Sequence, residues 1–318
     1  MKIFNLDLHI SVIADIQQIL GNLGHEVTSW NMSGHNWVFG RQKATTSVVN
    51  TDNWTRIDSK MCDDFYKAYK DEFSKYDAFL VTYPPSFSMV FEKWNKPIII
   101  VAPIRYELPF SANLEGWERI NDFLKKGADS GQLILAANSK YDAEYGKYFT
   151  DRDWLHIPSL CNYTGVKYSP NKNDFLYYSR MHQYPFYLGG SFIPNLVDKS
   201  KALPPGYKWS DQVQYKGIVG IPYCPSTMSI FEFYSQCMPM FFPSVDLMLR
   251  MKKDYTAYVL AESSWNQTWN IKSGSIIRPG PNDPNDFENL DKFRNWLPKA
   301  DFYDTEWMPY IQYFDDWN

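Results

Sequence analysis

Gly217-Ile-Val-Gly-Ile-Pro-Tyr-Cys-Pro-Ser-Thr-Met-Ser-Ile-Phe-Glu-Phe-Tyr-Ser-Gln-Cys-Met-Pro-Met-Phe-Phe-Pro-Ser244 is the stretch that decides the fold. Ile218 to Ile221 is a short apolar run, as expected of a buried strand. Pro222 and Pro225 end it, because proline cannot donate to a strand ladder. Ser226, Thr227 and Ser229 can each begin a helix by accepting from its unpaired N–H groups. Met228, Phe231, Tyr234 and Met238 then recur at helical spacing, Pro239 stops the helix, and Met240 to Phe242 make the next strand. A helix start carries partial positive charge and free donors, so Ser226 to Ser229 suits a phosphate. A plainer alternative stands beside this: Ser229 and Glu232 have the spacing of a capping box and could serve the backbone alone.

The rest of the chain repeats the pattern. Met1–Leu8 reads as a strand, Ile10–Leu23 as a helix ended by Gly24, and His25–Trp30 as a strand. Helices are expected over Cys62–Lys75, Ser88–Trp94, Glu115–Lys126 and Lys140–Phe149. Strands are expected over Asp77–Tyr83, Pro97–Ala102 and Gln132–Ala137. Pro158–Asn173 is a polar linker, after which Asp174–Tyr178 opens a second sheet. Further helices are expected over Lys208–Tyr215, Val245–Glu262 and Leu290–Trp296. Strands alternating with helices imply parallel sheets, and 318 residues suffice for two domains. Asn31–Asp58 lacks periodicity and reads as a long loop.

Composition excludes several classes. A net charge of −4 with no basic stripe argues against a nucleic-acid surface. There is no apolar run of membrane-spanning length, and Met1 to Asp7 turns polar too early for a signal peptide. Cys62, Cys161, Cys224 and Cys237 are scattered, forming neither a zinc pattern nor a disulfide framework, so a reducing cytoplasm is expected. Asp151-Arg152-Asp153 has a metal-binding spelling but does not end a buried strand, and no metal is expected. No Gly-x-Gly-x-x-Gly follows a strand, against a dinucleotide enzyme. Aromatic residues make up 18 % of the chain, which suits sugar binding and equally suits a biased genome.

Ile221-Pro222-Tyr223, Ser226 through Glu232, and Met238 through Ser244 together resemble the nucleotide-sugar region of GT-B glycosyltransferases, in particular those encoded by large DNA viruses of algae. The resemblance covers the C-terminal half well and Asp7 to Ile16 moderately. It implies an α/β fold of two Rossmann-like doubly wound domains facing across a cleft. Residues 1–165 would be the acceptor domain, 166–295 the nucleotide-sugar domain, and 296–318 a segment returning to the first. It further implies transfer of a sugar from a UDP- or GDP-linked donor to a glycan hydroxyl, with no cofactor beyond the donor. A virus-encoded enzyme would do this in the host cytoplasm, for capsid glycans.

The site residues follow. Tyr223, Ser226, Thr227, Met228 and Ser229 would meet the diphosphate, and Glu232 the ribose by the resemblance. Ser179 and Arg180 end the first strand of the second sheet, where ligands gather, and a guanidinium pairs well with phosphate; a surface ion pair is the alternative. Asp7 and His9, at the end of the first strand, are the candidate catalytic residues, His9 because imidazole titrates near neutrality; helix capping or packing would explain His9 equally. His35, Arg105 and Glu107 are acceptor-side candidates. Retaining relatives carry two glutamates eight positions apart; here Cys224 stands at the earlier one, which favours inversion. An epimerase or hydrolase on the same fold, or an inactive carbohydrate-binding relative, are the alternatives.

Overall fold

The computed structural model describes residues 1–40, 44–110, 113–178, 194–255, 278, 280–286 and 289–316. The chain divides into two compact units, Met1–Tyr163 and Thr164–Asn318.

The first unit holds six strands, all parallel: β1 (Lys2–Asp7), β2 (Glu26–Asn31), β3 (Ala78–Val81), β4 (Ile98–Ala102), β5 (Leu133–Ala137) and β6 (Leu155–His156). Their order is β2-β1-β3-β4-β5-β6. The chain lays β2 on one side of β1 and builds the remainder on the other, so direction reverses between β1 and β3. That reversal is the switch point where doubly wound sheets form a crevice. Parallel strands are covered on both faces, which explains why β3 and β4 read as unbroken apolar runs; β1 is buried as well but carries the polar Asn5 and Asp7. Helices span Ile10–Asn22, Ser59–Phe73, Leu114–Asp129 and Lys140–Thr150. The last three have side-chain caps: Asp58 accepts from the N–H of Met61, Asn113 from Gly116 and Ser139 from Asp142. Gly24 takes φ +81 just past the first helix, the left-handed conformation a terminating glycine supplies.

The aromatic residues of this unit are spent inside. Phe4, Phe65, Phe73, Phe79 and Phe91 are fully buried, with centroids 4.2 Å apart for Phe4 and Phe73 and 4.4 Å for Phe79 and Phe91. Much of the aromatic excess is therefore core. Among the described residues of 32–58 there are two short 3-10 turns, Asn36–Phe39 and Trp54–Arg56. Even so the segment is tied down: Asn31 bonds to Asn36 and accepts from the N–H of Ser33, and Asn53 reaches the carbonyl of Val48.

The second unit repeats the plan with β7 (Phe175–Tyr178), β8 (Leu196–Asp198), β9 (Ile218–Gly220), β10 (Met240–Pro243) and β11 (Gln312–Phe314). All pairs are parallel, in the order β11-β10-β9-β7-β8, and direction reverses between β7 and β9. Its core includes Leu176, Ile218, Ile230, Phe233, Phe242 and Phe302. Gly217 is required at the foot of β9, because a methyl there would lie 2.6 Å from the carbonyl oxygen of Pro239.

Several expectations change. The helix expected over Lys208–Tyr215 is a single turn, Trp209–Gln212. That expected over Val245–Glu262 is described as Val245–Tyr255, and residues 256–262 lie outside the described residues. The 296–318 segment supplies a strand to the sheet of the second unit. After the helix Leu290–Trp296 come two 3-10 turns, Leu297–Lys299 and Asp301–Tyr303, and then β11 alongside β10. Pro298 and Pro309 remove the N–H groups that a continuous helix would need. Among the described residues, no helix is long and apolar enough to cross a membrane.

Candidate functional site

In the second unit the residues singled out from the sequence gather at the switch point, at the C-terminal ends of β7 and β9. Tyr178 closes β7, and its hydroxyl lies 3.2 Å from that of Tyr223 and 3.4 Å from Thr227 Oγ1. Tyr223 and Thr227 complete the triangle at 3.3 Å. The helix that follows runs Met228–Ser235 with Thr227 as its N-cap. Thr227 makes no side-chain cap, because its hydroxyl is turned to the two tyrosines.

This start settles the capping-box alternative. With Thr227 at the N-cap, the box partner would be Ile230; Ser229 and Glu232 occupy the second and fifth helical positions. Glu232 does not cap the helix. It stands half-buried one turn along, where it acts electrostatically on Lys199 and Tyr207. Ser226 is buried, and its carbonyl accepts from the Cys224 thiol at 2.9 Å. Ser179 and Arg180 lie outside the described residues.

Two participants have no local sequence signal. Asp301 accepts the Thr227 N–H at 3.1 Å, while its own N–H donates to the Pro225 carbonyl at 3.0 Å. A buried carboxylate from the C-terminal segment thus pins the loop from both sides. Lys199, directly after β8, donates to the Tyr207 hydroxyl at 2.5 Å and lies 5.6 Å from the Tyr178 ring centroid.

In the first unit Asp7 ends β1 at the other switch point, fully buried. Its Oδ1 accepts from the N–H groups of Leu8 (2.9 Å), His9 (3.1 Å) and Tyr83 (3.1 Å). Its Oδ2 accepts from the Thr82 N–H (2.9 Å), the Thr82 hydroxyl and Asn5 Nδ2 (3.2 Å). Burial pushes its pKa up to about 6 against those bonds, which favour the anion. Asp7 therefore staples the loop after β1 to the loop after β3. His9 is the N-cap residue of the helix Ile10–Asn22, without a side-chain cap bond, and its ring lies edge-on to Tyr83 at 5.9 Å.

The acceptor-side candidates separate. His35 is exposed on its loop, with its N–H on Ser33 Oγ. Arg105 and Glu107 are buried together after β4. Glu107 Oε1 accepts from Tyr145 at 2.9 Å and lies 3.9 Å from Arg105 Nη1, while the guanidinium stacks 4.7 Å from the Tyr145 ring centroid. Glu107 Oε2 has no hydrogen-bond partner. Burial raises Glu107 to about 7, and Arg105 opposes that rise. The Asp-x-Asp spelling is spent on surface pairing: Arg152 grips Asp129 through both Nε and Nη2, and Asp153 pairs with Lys147 at 2.7 Å.

No protein-family model matches the chain, and no curated protein matches it. Among solved structures, it is similar to the glycosyltransferase SnogD from Streptomyces nogalater, at 10 % identity and TM-score 0.42, covering 94 % of this chain and 95 % of that one. It is similar to the glycotransferase of kitacinnamycin, at 14 % identity and TM-score 0.44, covering 93 % and 94 %. It is also similar to the spinosyn forosaminyltransferase SpnP, at 11 % identity and TM-score 0.45, covering 94 % and 95 %. At such scores the overlap is loose, and the function of this chain rests on its own residues.

Proposed function

We propose that the chain is a two-domain glycosyltransferase of the GT-B type that uses a nucleoside diphosphate sugar. The observation that carries this is the second switch point. There a hydroxyl triangle, a helix start and the half-buried carboxylate of Glu232 gather where doubly wound sheets bind ligands. The phosphates take the helix start at Thr227 to Ser229, where the helix dipole favours anions; the Thr227 N–H itself is held by Asp301. Glu232 accepts from ribose hydroxyls.

In the transfer, the acceptor hydroxyl oxygen bonds to the anomeric carbon as the bond from that carbon to the phosphate oxygen breaks. The electron pair leaves with the diphosphate, and configuration inverts. The hydroxyl proton goes to His9, whose loop Asp7 holds by accepting its backbone N–H. Charge growing on the diphosphate is met by donors already in place. Cys224, which stands where retaining relatives carry a glutamate, is committed to the loop through Ser226, in keeping with inversion. Arg105 and Glu107 shape the loop after β4 in this reading and do not touch the acceptor.

Titration calorimetry with UDP and GDP tests the donor half. The wild-type protein should bind one of them, and Glu232→Ala should lose about 1.5–3 kcal/mol of that binding, the scale of a hydrogen bond to a charged group. Unchanged affinity with a lowered melting temperature would make Glu232 structural and defeat this assignment.

A further inference from the structure

Lys199 follows β8 directly at the second switch point, and its surroundings are unusual for a lysine. Its stem is half-buried, and its ammonium lies 5.6 Å from the Tyr178 centroid, 5.3 Å from Phe233 and 4.7 Å from Tyr207. One of its three N–H donors goes to the Tyr207 hydroxyl at 2.5 Å. Among the described residues no carboxylate lies within ion-pair distance of it. The acid that acts on it is Glu232, and only through longer-range attraction. The usual tenant of such a position is a paired charge, since an ammonium taken from water without a counterion is costly. Removal from water pulls its pKa below the ordinary value, as that cost requires.

We propose that Lys199 is a ligand-binding residue of this site and that its missing counterion is the phosphate nearest the ribose of a bound nucleotide. This rests on the nucleotide reading above. Three links place it there. The Tyr178 ring beneath the ammonium carries the hydroxyl that touches Thr227, the N-cap of the helix. Phe233 and Glu232 both stand on that same helix, and Glu232 is near enough to act electrostatically on the ammonium, which relates it to the proposed ribose ligand. Finally, the aromatic faces and Tyr207 fix the ammonium while leaving two N–H donors uncommitted. An anionic oxygen supplies what the described residues do not.

The test compares uridine, UMP and UDP by titration calorimetry on the full chain, using wild type, Lys199→Gln and Lys199→Met. Methionine keeps an unbranched stem over the rings, so a folded variant is retained even if glutamine packs poorly. Both variants should bind UMP and UDP roughly 10- to 100-fold more weakly while binding uridine as the wild type does. Their unliganded melting temperatures should equal or exceed the wild-type value, because an unpaired charge has been removed. If the wild type binds none of the three, nor guanosine, GMP and GDP run as the matching series, the nucleotide reading falls and takes this inference with it. If the wild type binds UDP and the variants bind it equally, or lose uridine in the same proportion, only the role given to Lys199 is overturned.

Discussion

Replacing Glu107 with glutamine should change how stability depends on pH, in a direction fixed by the burial of that carboxyl. Its pKa rises from the ordinary 4.5 to about 7, chiefly through loss of water, against the opposing pull of Arg105. The folded protein therefore holds this proton more tightly than the unfolded chain does. Below pH 4.5 both states are protonated and the advantage of the folded state is fully present. Between pH 4.5 and about 7 only the folded state keeps the proton, so stability falls as pH rises. The interval of about 2.5 pH units at about 1.36 kcal/mol each amounts to about 3 kcal/mol lost by pH 8. Glutamine has nearly the same shape, still offers Tyr145 an acceptor, and does not titrate. Urea denaturation of both proteins from pH 4.5 to 8.5 isolates the effect, because Asp7, which acts in the same sense, cancels in the difference. The variant should gain on the wild type by about 3 kcal/mol across that range. Parallel curves would mean that Glu107 titrates as a solvated glutamate, and the reasoning from its burial would be wrong.

Three other outcomes follow from the geometry. Asp7→Asn should cost about 2–4 kcal/mol in denaturation, because an amide nitrogen would be turned toward N–H and O–H donors now satisfied by carboxylate oxygens. His9→Ala should leave nucleotide affinity and stability near wild type and lower turnover by roughly 10²–10⁴-fold; full turnover would remove His9 as the base. Gly217→Ala should destabilise the second unit by about 1–3 kcal/mol, since the obstructing atom is a backbone oxygen that no rotamer can clear. Its control, Gly21→Ala, meets nothing within 4 Å on the helix Ile10–Asn22 and should stabilise by roughly 0.5–1 kcal/mol.

The two α/β sheets were legible because β3, β4 and β9 carry short apolar runs of the kind a doubly covered strand sustains. β6, β8 and β11 were not, being two or three residues long, and Leu155-His156 or Gln312-Tyr313-Phe314 becomes a strand only through its neighbour. The Ser226–Glu232 stretch was legible as a helix start, yet its capping was not. Which residue becomes the N-cap depends on Tyr178, Tyr223 and Asp301, and Asp301 lies 74 residues from Thr227. Lys199 was missed for the same reason, since nothing in Asp198-Lys199-Ser200 announces the rings that surround it. The place of Asp7 at the end of β1 is legible in the sequence, whereas the engagement of both its carboxylate oxygens is not, because Thr82 and Tyr83 lie 75 and 76 residues away.

The placement of β11 has a consequence for how the protein is made. Among the described residues, every strand of the first unit's sheet is present by residue 156. The second cannot close beside β10 until residues 312–314 emerge, and the Asp301 carboxylate that pins the Thr227 loop arrives almost as late. At ~5–20 residues per second, several seconds or more separate β10 from its edge partner on the ribosome. During that interval β10 presents an unpaired, apolar edge of Met240, Phe241 and Phe242, the kind of surface that chaperones cover and that aggregation exploits.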